Sequence, residues 1–294
     1  MNLVFKMIQG ALIGAGALLP GVSGGVLAVL FGVYKPLMRL LAHPLKELKN
    51  TIRELWPILA GFVLGYLATS LLLEELLENY KTQSLSVFIG MTIGIMPSLF
   101  REAGEKGRNE KSYISLGVAF AVAFGILYLC NSQGLVITEN FFWYMFGGAS
   151  LAISIIVPGM SSSILMLPFN MQDGTNFYAN VTGAIGGILK GEANIVNLIA
   201  IVVGALAAVV LLTKAVDYMM NKHYSVMFHG IIGVVIASTL AVLVLGSDEM
   251  PALYTAFTAN TTAFIVHMAF VVAGCIATLL LDKMNSKVEK PEID

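Results

Sequence analysis

Two short phrases in this chain combine residue types that bind anions, and both lie inside long apolar segments. The first is Leu19-Pro20-Gly21-Val22-Ser23-Gly24-Gly25, and the second is Val157-Pro158-Gly159-Met160-Ser161-Ser162-Ser163. A Pro-Gly pair ends a helix, because proline has no N–H group and glycine adopts turn conformations. Where the chain restarts as a helix, the free N–H groups of its first turn carry a partial positive charge. Such a helix start binds phosphate or carboxylate without a basic side chain.

The residues of the two breaks form one candidate anion-binding site. Its members are Pro20, Gly21, Ser23, Gly24, Gly25, Pro158, Gly159, Ser161, Ser162 and Ser163. We expect Ser23 and Ser161 to cap the restarting helices. We further expect Gly24 and Gly25 to let a ligand approach the backbone. Ser162 and Ser163 then offer hydroxyl groups to the same ligand. The alternative is that all these residues only cap and pack, but a break repeated at membrane depth favours binding.

The composition is that of a polytopic membrane protein. Hydrophobic residues make up 57% of the 294 residues and charged residues 12%, against about 25% charged residues in soluble domains. Six segments are long and apolar enough to cross a bilayer. They are residues 56–73, 84–100, 112–130, 195–213, 225–245 and 261–281. The connections leave no room for a soluble or nucleic-acid-binding domain. Cys130 and Cys275 suit packing, and no metal or cofactor motif is present.

The two broken segments are interpreted as re-entrant hairpins, over residues 3–34 and 141–171. The pieces after the breaks are too short to cross about 30 Å of hydrocarbon as helices. Leucines and isoleucines recur at helical spacing in residues 35–55, with basic residues on the other faces. This pattern predicts an amphipathic helix on the membrane surface, and a plain connector is the alternative.

Basic residues predict the orientation of the chain. If residues 35–55 are cytoplasmic and each hairpin returns to its own side, only Lys81 and Lys190 fall on the outer face. The remaining 15 of the 17 lysines and arginines then lie on the inner face. We therefore expect both termini to be cytoplasmic, including the tail 286–294.

The same count predicts that the two halves of the chain have opposite orientation. Each half, residues 1–134 and 135–285, contains one hairpin and three spans, which is an odd number of crossings. Matching residues recur at offsets of 138 to 140, as in Pro20 and Pro158, Gly65 and Gly204, and Phe88 and Phe228. The predicted fold is an all-α inverted-topology repeat, with the hairpins entering from opposite faces. The glycine pairs 10/14, 61/65 and 90/94 suit close helix packing.

Few other residues in the spans can do chemistry. The six predicted spans contain no internal Asp, Glu, Lys or Arg, which excludes a carboxylate relay within them. His229 and His267 lie in spans and are able to sense protons or contact an anion. A hydrogen bond to a neighbouring helix is the favoured interpretation of each histidine. Arg101, at the inner end of a span, either reaches a headgroup or anchors the membrane boundary.

The two phrases, with Gly32-Val33-Tyr34 after the first, resemble those of the bacterial polyprenyl-phosphate transporter family. The resemblance covers nearly the whole chain. It implies flipping of undecaprenyl phosphate across the cytoplasmic membrane, which recycles the lipid carrier of peptidoglycan precursors. It implies a transporter of this lipid rather than an enzyme, with no cofactor, and leaves a homodimer open. Ser162 stands where the family's second phrase has glycine.

Two other functions fit parts of the pattern. A carrier or channel for small anions would use the same helix starts. The phrase Gly21-Val22-Ser23-Gly24 also resembles that of rhomboid-type intramembrane serine proteases. A protease would need His229 or His267 within hydrogen-bond reach of Ser23. It needs only one nucleophile, however, and so does not explain a duplicated break.

Overall fold

The computed structural model describes residues 3–19, 22, 24–33, 36–37, 44–132, 137–157, 160–245 and 253–285. Six helices among these residues are long and apolar enough to cross a membrane. They cover Leu55–Asn79, Lys81–Ala103, Glu110–Ser132, Ile195–Lys222, Tyr224–Val244 and Thr261–Lys283. The six predicted spans are confirmed, and the chain is an all-α, multi-pass membrane protein.

The described residues form twelve helices, which we number in chain order. They are α1 Leu3–Leu18, α2 Gly24–Leu30, α3 Pro44–Asn79, α4 Lys81–Ala103, α5 Glu110–Ser132, α6 Phe141–Ile156, α7 Ser162–Met166, α8 Phe177–Lys190, α9 Ile195–Lys222, α10 Tyr224–Val244, α11 Leu253–Thr258 and α12 Thr261–Asn285. Helices α1 and α6 have 16 residues each, about 24 Å, and end at the two breaks. They are therefore too short to span the hydrocarbon core alone.

Glycine allows α1 and α3 to pack with their backbones in contact. A Cβ atom on Gly61 would lie 2.0 Å from the carbonyl oxygen of Met7, and one on Gly65 would lie 2.2 Å from that of Ala11. Because the contacting residue numbers rise together, the two helices run parallel. The packing role predicted for the glycine pairs 10/14, 61/65 and 90/94 is confirmed.

Three further helix pairs pack extensively and also run parallel: α6 with α9, α4 with α12, and α5 with α10. Their contacting residues again rise together. For α4 and α12 these contacts are Gly90 with Val271 and Gly94 with Cys275, and for α5 and α10 they are Ser112 with Ser225 and Leu116 with Gly233. On α6 and α9, Met145 contacts Gly204, and the later residues Ala152 and Ile156 share a hydrophobic cluster with the later residue Ala208. Smaller contacts of α3 with α8 and of α4 with α10 join the pairs into one bundle.

The connections lie at two ends of this bundle, which α4 separates by about 33 Å. At one end Arg101 forms an ion pair with Asp282 at 3.0 Å. At the other end Lys190 contacts Glu74 at 2.8 Å, a hydrogen bond that raises the pKa of Lys190. Lys81 also lies at this second end, where its Nζ donates to the carbonyl of Gly174 at 3.1 Å. Lys81 and Lys190 thus lie at the opposite end of the bundle from Arg101. Which of the two ends faces the cytoplasm stays a prediction.

The loop between α7 and α8 is held by polar side chains. Asp173 accepts hydrogen bonds from the hydroxyl and the N–H of Thr175, at 2.7 and 2.9 Å. The hydroxyl bond holds the pKa of Asp173 below its ordinary value. Asn176 caps α8 by accepting from the N–H of Tyr178 at 3.0 Å, and it donates to the carbonyl of Leu167 at 2.9 Å. The start of α8 is therefore tied to the end of α7.

Two features differ from the sequence interpretation. After the second break the helix ends at Met166, five residues short of the expected end of the hairpin at Met171. Helix α8 then occupies a stretch that the sequence interpretation treats as a connection. In the first half, α3 begins at Pro44 and continues without a break into the first span. The later part of the predicted surface helix 35–55 belongs to this helix, and its place on the membrane surface stays a prediction.

Candidate functional site

The two breaks meet, although they are far apart in sequence. The hydroxyl of Ser162 donates to the carbonyl of Ala17 at 3.0 Å, across 145 residues. The hydroxyl of Ser161 donates to the carbonyl of Leu19 at 3.3 Å, across 142 residues. The last four carbonyls of a helix have no partner within that helix. The serines of the second break therefore satisfy carbonyls where α1 ends at the first break.

Two other hydroxyls contact the same end of α1. Tyr178 of α8 donates to the carbonyl of Leu18. Ser154 of α6 lies 3.3 Å from the carbonyl of Ala17, although its shorter bond, at 2.7 Å, is to Leu151 in its own helix. We call the carbonyls of residues 17–19 and the hydroxyls of Ser154, Ser161, Ser162 and Tyr178 the break junction. The sequence interpretation missed Ser154 and Tyr178, and no spacing in the sequence relates either residue to α1.

The predicted capping role of Ser161 is wrong. Ser161 occupies the N-cap position of α7 with an extended backbone, φ −108° and ψ 143°, but its side chain does not cap that helix. The hydroxyl instead contacts Leu19 and lies 2.8 Å from the hydroxyl of Ser163. All three serines of the second break are buried. Their hydroxyl groups are thus engaged within the protein.

Gly24 has the packing role that the sequence interpretation gave as the alternative to ligand binding. A Cβ atom there would lie 2.8 Å from the carbonyl oxygen of Ile13 and 2.9 Å from the backbone of Ala17. Glycine at this position lets α2 pack against α1. A branched side chain at Gly24 would therefore disturb the fold itself, and close approach of a ligand to Gly24 stays a prediction.

The remaining predicted break residues divide into two groups. Gly25 is buried in the first turn of α2. Pro20, Gly21, Ser23, Pro158 and Gly159 lie outside the described residues. The predicted roles of these six residues in binding stay predictions.

A small cavity lies beside the break junction, between α4, α7 and α10. Its volume is about 20 Å³, which is room for about one water molecule. Four hydroxyl residues line it, namely Thr92, Ser163, Ser238 and Thr239. The other lining residues are Leu85, Phe88, Ile89, Ile164, Leu167 and Val242. The cavity thus combines hydroxyl and apolar walls, and none of its lining residues is charged.

The structure does not bring Arg101 to the break junction. Thr92 of α4 lines the cavity beside the junction, and Arg101 lies nine residues further on, about 13 Å along the helix. Its guanidinium contacts both carboxylate oxygens of Asp282 at 3.0 Å and the hydroxyl of Ser98 at 3.1 Å. This arrangement ties α4 to α12 at the end of the bundle. It matches the boundary-anchor interpretation of Arg101.

His267 forms the hydrogen bond to a neighbouring helix that the sequence interpretation favoured, whereas His229 bonds within its own helix, so that prediction is wrong for His229. Nδ1 of His267 lies 3.0 Å from the hydroxyl of Ser86 on α4, which itself donates to Thr82. Nδ1 of His229 lies 2.7 Å from the carbonyl of Ser225 in its own helix. Nε2 of His229 is buried beside the ring of Tyr113 and has no hydrogen-bond partner among the described residues. Among the described residues, no three His, Cys, Asp or Glu side chains are grouped as metal ligands.

Comparison with protein families identifies the chain. The model of a family described as undecaprenyl phosphate translocase-like matches residues 13–244, which include both breaks and five of the six spans. The chain belongs to this family. The matched region extends well beyond the two phrases that carry the resemblance in the sequence.

Two curated relatives have the same printed name, polyprenyl-phosphate transporter. The protein of Staphylococcus aureus is 26% identical over 293 residues, which cover 97% of this chain and 98% of the relative. The protein of Vibrio cholerae is 24% identical over 203 residues, 63% of this chain and 61% of the relative. No solved structure matches the chain.

Proposed function

We propose that this protein carries undecaprenyl phosphate between the leaflets of the bacterial cytoplasmic membrane, and that the break junction holds the phosphate headgroup. The observation that carries the proposal is the direct contact of the two breaks, through Ser162 with Ala17 and Ser161 with Leu19. Membership of the translocase-like family supports the substrate. Helix ends that meet inside a membrane are the usual binding site of transporters with broken helices.

The packing directions support an inverted repeat of two re-entrant hairpins. Short turns at Tyr80, residues 104–109 and His223 reverse the chain between successive spans, so α3 and α5 run opposite to α4, and α9 opposite to α10. Because α5 runs with α10, α3 also runs opposite to α9. Since α1 is parallel to α3 and α6 to α9, the two helices that lead into the breaks run in opposite directions. We infer that they enter from opposite faces and meet at their ends.

The pairing of the spans supports the same symmetry. Exchange of the two halves replaces α1 by α6, α3 by α9, α4 by α10 and α5 by α12. This exchange converts the α1/α3 pair into α6/α9 and the α4/α12 pair into α10/α5. All four extensive pairs are therefore reproduced. Two equivalent halves of opposite orientation are suited to opening one site alternately to each face.

The chemistry of the break junction suits a phosphate that enters by exchange. The serine hydroxyls now donate to neutral carbonyls, and such bonds contribute about 1 kcal/mol each. Hydrogen bonds to a charged acceptor contribute about 1.5 to 3 kcal/mol. A phosphate oxygen can therefore displace a carbonyl as the acceptor when the two breaks separate. The polyprenyl tail stays in the lipid, so only the headgroup needs this shelter.

The distribution of basic residues supports cytoplasmic termini. Lys81 and Lys190 lie at one end of the bundle, whereas Arg101, Lys106 and Lys222 belong to the opposite end. We infer that the end with Lys81 and Lys190 faces outward, because short cytoplasmic connections are enriched in lysine and arginine.

The transport proposal is tested with purified protein in liposomes that contain undecaprenyl phosphate. A phosphatase added outside hydrolyses only the outer-leaflet lipid unless a carrier brings the inner-leaflet lipid within its reach. We expect wild-type protein to make nearly all of the lipid accessible. Failure of the wild-type protein to do so would contradict the proposal.

A pair of variants tests the assignment of the site. Replacing both junction serines, Ser161→Ala with Ser162→Ala, should slow lipid exchange at equal amounts of folded protein. The control is Ser115→Ala, which removes a hydroxyl bond from α5 to the carbonyl of Val226 away from the breaks. Equal slowing of lipid exchange in the double variant and in the control would contradict the assignment of headgroup binding to the break junction. Release of trapped inorganic phosphate without lipid exchange would instead indicate a small-anion carrier.

A further inference from the structure

Helix α8 belongs to neither predicted hairpin, yet it delivers one side chain to the break junction. Tyr178, its second residue, is completely buried, and its hydroxyl donates to the carbonyl of Leu18 at the end of α1. Leu18 is also completely buried, so its carbonyl has no access to bulk water. A buried carbonyl at a helix end needs a partner from elsewhere in the protein. The phenol of Tyr178 is that partner.

The position of Tyr178 is set by its surroundings on both sides. Its N–H donates to Asn176, and Asn176 also donates to the carbonyls of Leu167 and Phe169 after α7. The N–H of Phe177 donates to the carbonyl of Phe169 at 3.0 Å. Tyr178 is therefore anchored to the segment that follows the second break. Its hydroxyl reaches back to the first break from this fixed support.

The junction hydroxyls differ in what they are able to do. Ser161 and Ser162 lie on the second break itself, and their short side chains can exchange a carbonyl for a phosphate. Tyr178 has a rigid ring with two rotatable bonds, held by a capped helix start. If the serines exchange partners during transport, the bond from Tyr178 to Leu18 still links the end of α1 to α8.

We propose that Tyr178 is a positioning residue, which keeps the end of α1 in place for the headgroup while the serine hydroxyls change acceptors. The transport part of this inference rests on the proposed function, whereas the positional part does not. Loss of the phenol should loosen the end of α1 and weaken lipid binding. The transport rate of each protein molecule that has bound lipid should stay unchanged.

The test compares Tyr178→Phe with Tyr144→Phe. Each variant removes one phenol oxygen and retains the ring. Tyr144 is buried on α6 and donates to Asn180 of α8 and to Glu139, away from the end of α1. The control therefore also perturbs the α6–α8 contact, but not the junction. Both proteins are purified in full length and reconstituted in nanodiscs and liposomes.

The first readout is hydrogen exchange of peptides that cover the end of α1. Tyr178→Phe should exchange faster there than wild type, and Tyr144→Phe should not. Equal exchange in Tyr178→Phe and wild type would overturn the inference. An increase of the same size in both variants would also overturn it, because α8 as a whole would then be responsible. This readout needs no transport, so it stands if the lipid assay fails for the wild-type protein.

The second readout is the lipid dependence of transport. Loss of one neutral hydrogen bond should raise the apparent KM for undecaprenyl phosphate about fivefold, with an unchanged maximal rate per folded molecule. A lower maximal rate at unchanged KM would indicate only a structural role and would overturn the positioning role. Absence of lipid transport by the wild-type protein would refute the proposed function, but it would not refute the role of the Tyr178 hydroxyl in holding the carbonyl of Leu18.

Discussion

The contact between the two breaks is tested most directly by Ser162→Ala. Ser162 is completely buried, and its hydroxyl supplies the 3.0 Å bond to the carbonyl of Ala17. The substitution removes this one oxygen atom and retains the backbone and the Cβ. Among the described residues, the side chain that then remains within reach of the carbonyl of Ala17 is Ser154, at 3.3 Å. Ser154 has a single hydroxyl proton and already donates to Leu151 at 2.7 Å.

The expected loss of stability follows from these distances. A buried acceptor that loses its donor costs about 1 to 3 kcal/mol, whereas hydrogen bonds between membrane helices average about 0.6 kcal/mol. Because Ser154 is able to replace part of the lost bond, we expect the free energy of unfolding to fall by about 1 kcal/mol. This corresponds to about a fivefold change in the equilibrium between folded and unfolded protein.

The measurement is reversible unfolding in mixed micelles, with Ser150→Ala as the control. Ser150 is as buried as Ser162, but its hydroxyl donates to Phe146 within its own helix at 2.9 Å. That carbonyl lies in the interior of α6, so it keeps a backbone partner after the substitution. We expect the control to lose clearly less stability than Ser162→Ala. Equal free energies of unfolding for the two variants would mean that the breaks do not touch in the membrane.

Three further predictions concern packing, topology and the loops. Gly148→Ala should prevent accumulation of folded protein, because its Cβ would lie 1.9 Å from the carbonyl oxygen of Ile201. The control Gly117→Ala has open space around the new Cβ, so this variant should fold with unchanged or slightly higher stability. Equal yields of the two variants in membrane extracts would contradict this prediction. In a protein without Cys130 and Cys275, a cysteine at Glu105 should react with an impermeant reagent only from the cytoplasm and one at Glu192 only from outside, and the opposite pattern would reverse the assigned orientation. Asp173→Asn removes a carboxylate whose pKa is lowered, so its stabilising contribution is present above the ordinary pKa and is lost as the pH falls through the lowered one. The difference in unfolding free energy from wild type should thus be constant above about pH 5 and shrink below about pH 4, and a difference that grows on acidification would contradict the sign.

The sequence by itself determined the membrane class, the six spans and the positions of the two breaks. These features depend on local composition, because a span needs about 20 apolar residues and a Pro-Gly pair interrupts a helix wherever it stands. The packing role of the paired glycines was also predictable, since small residues four apart form one face of a helix. The grouping of Lys81 and Lys190 followed from counting charges along the chain.

Tertiary structure alone decided how the breaks are used. Ser161 has the sequence context of a capping residue, but the carbonyl of Leu19 lies close to it and takes its hydroxyl. Gly24 has the context of a ligand-binding glycine, but the backbone of α1 occupies the space beside it. Tyr178 lies in a stretch without any motif and reaches the junction only because Asn176 fixes the start of α8. Each of these outcomes depends on a partner more than ten residues away or on another helix, which local pattern does not encode.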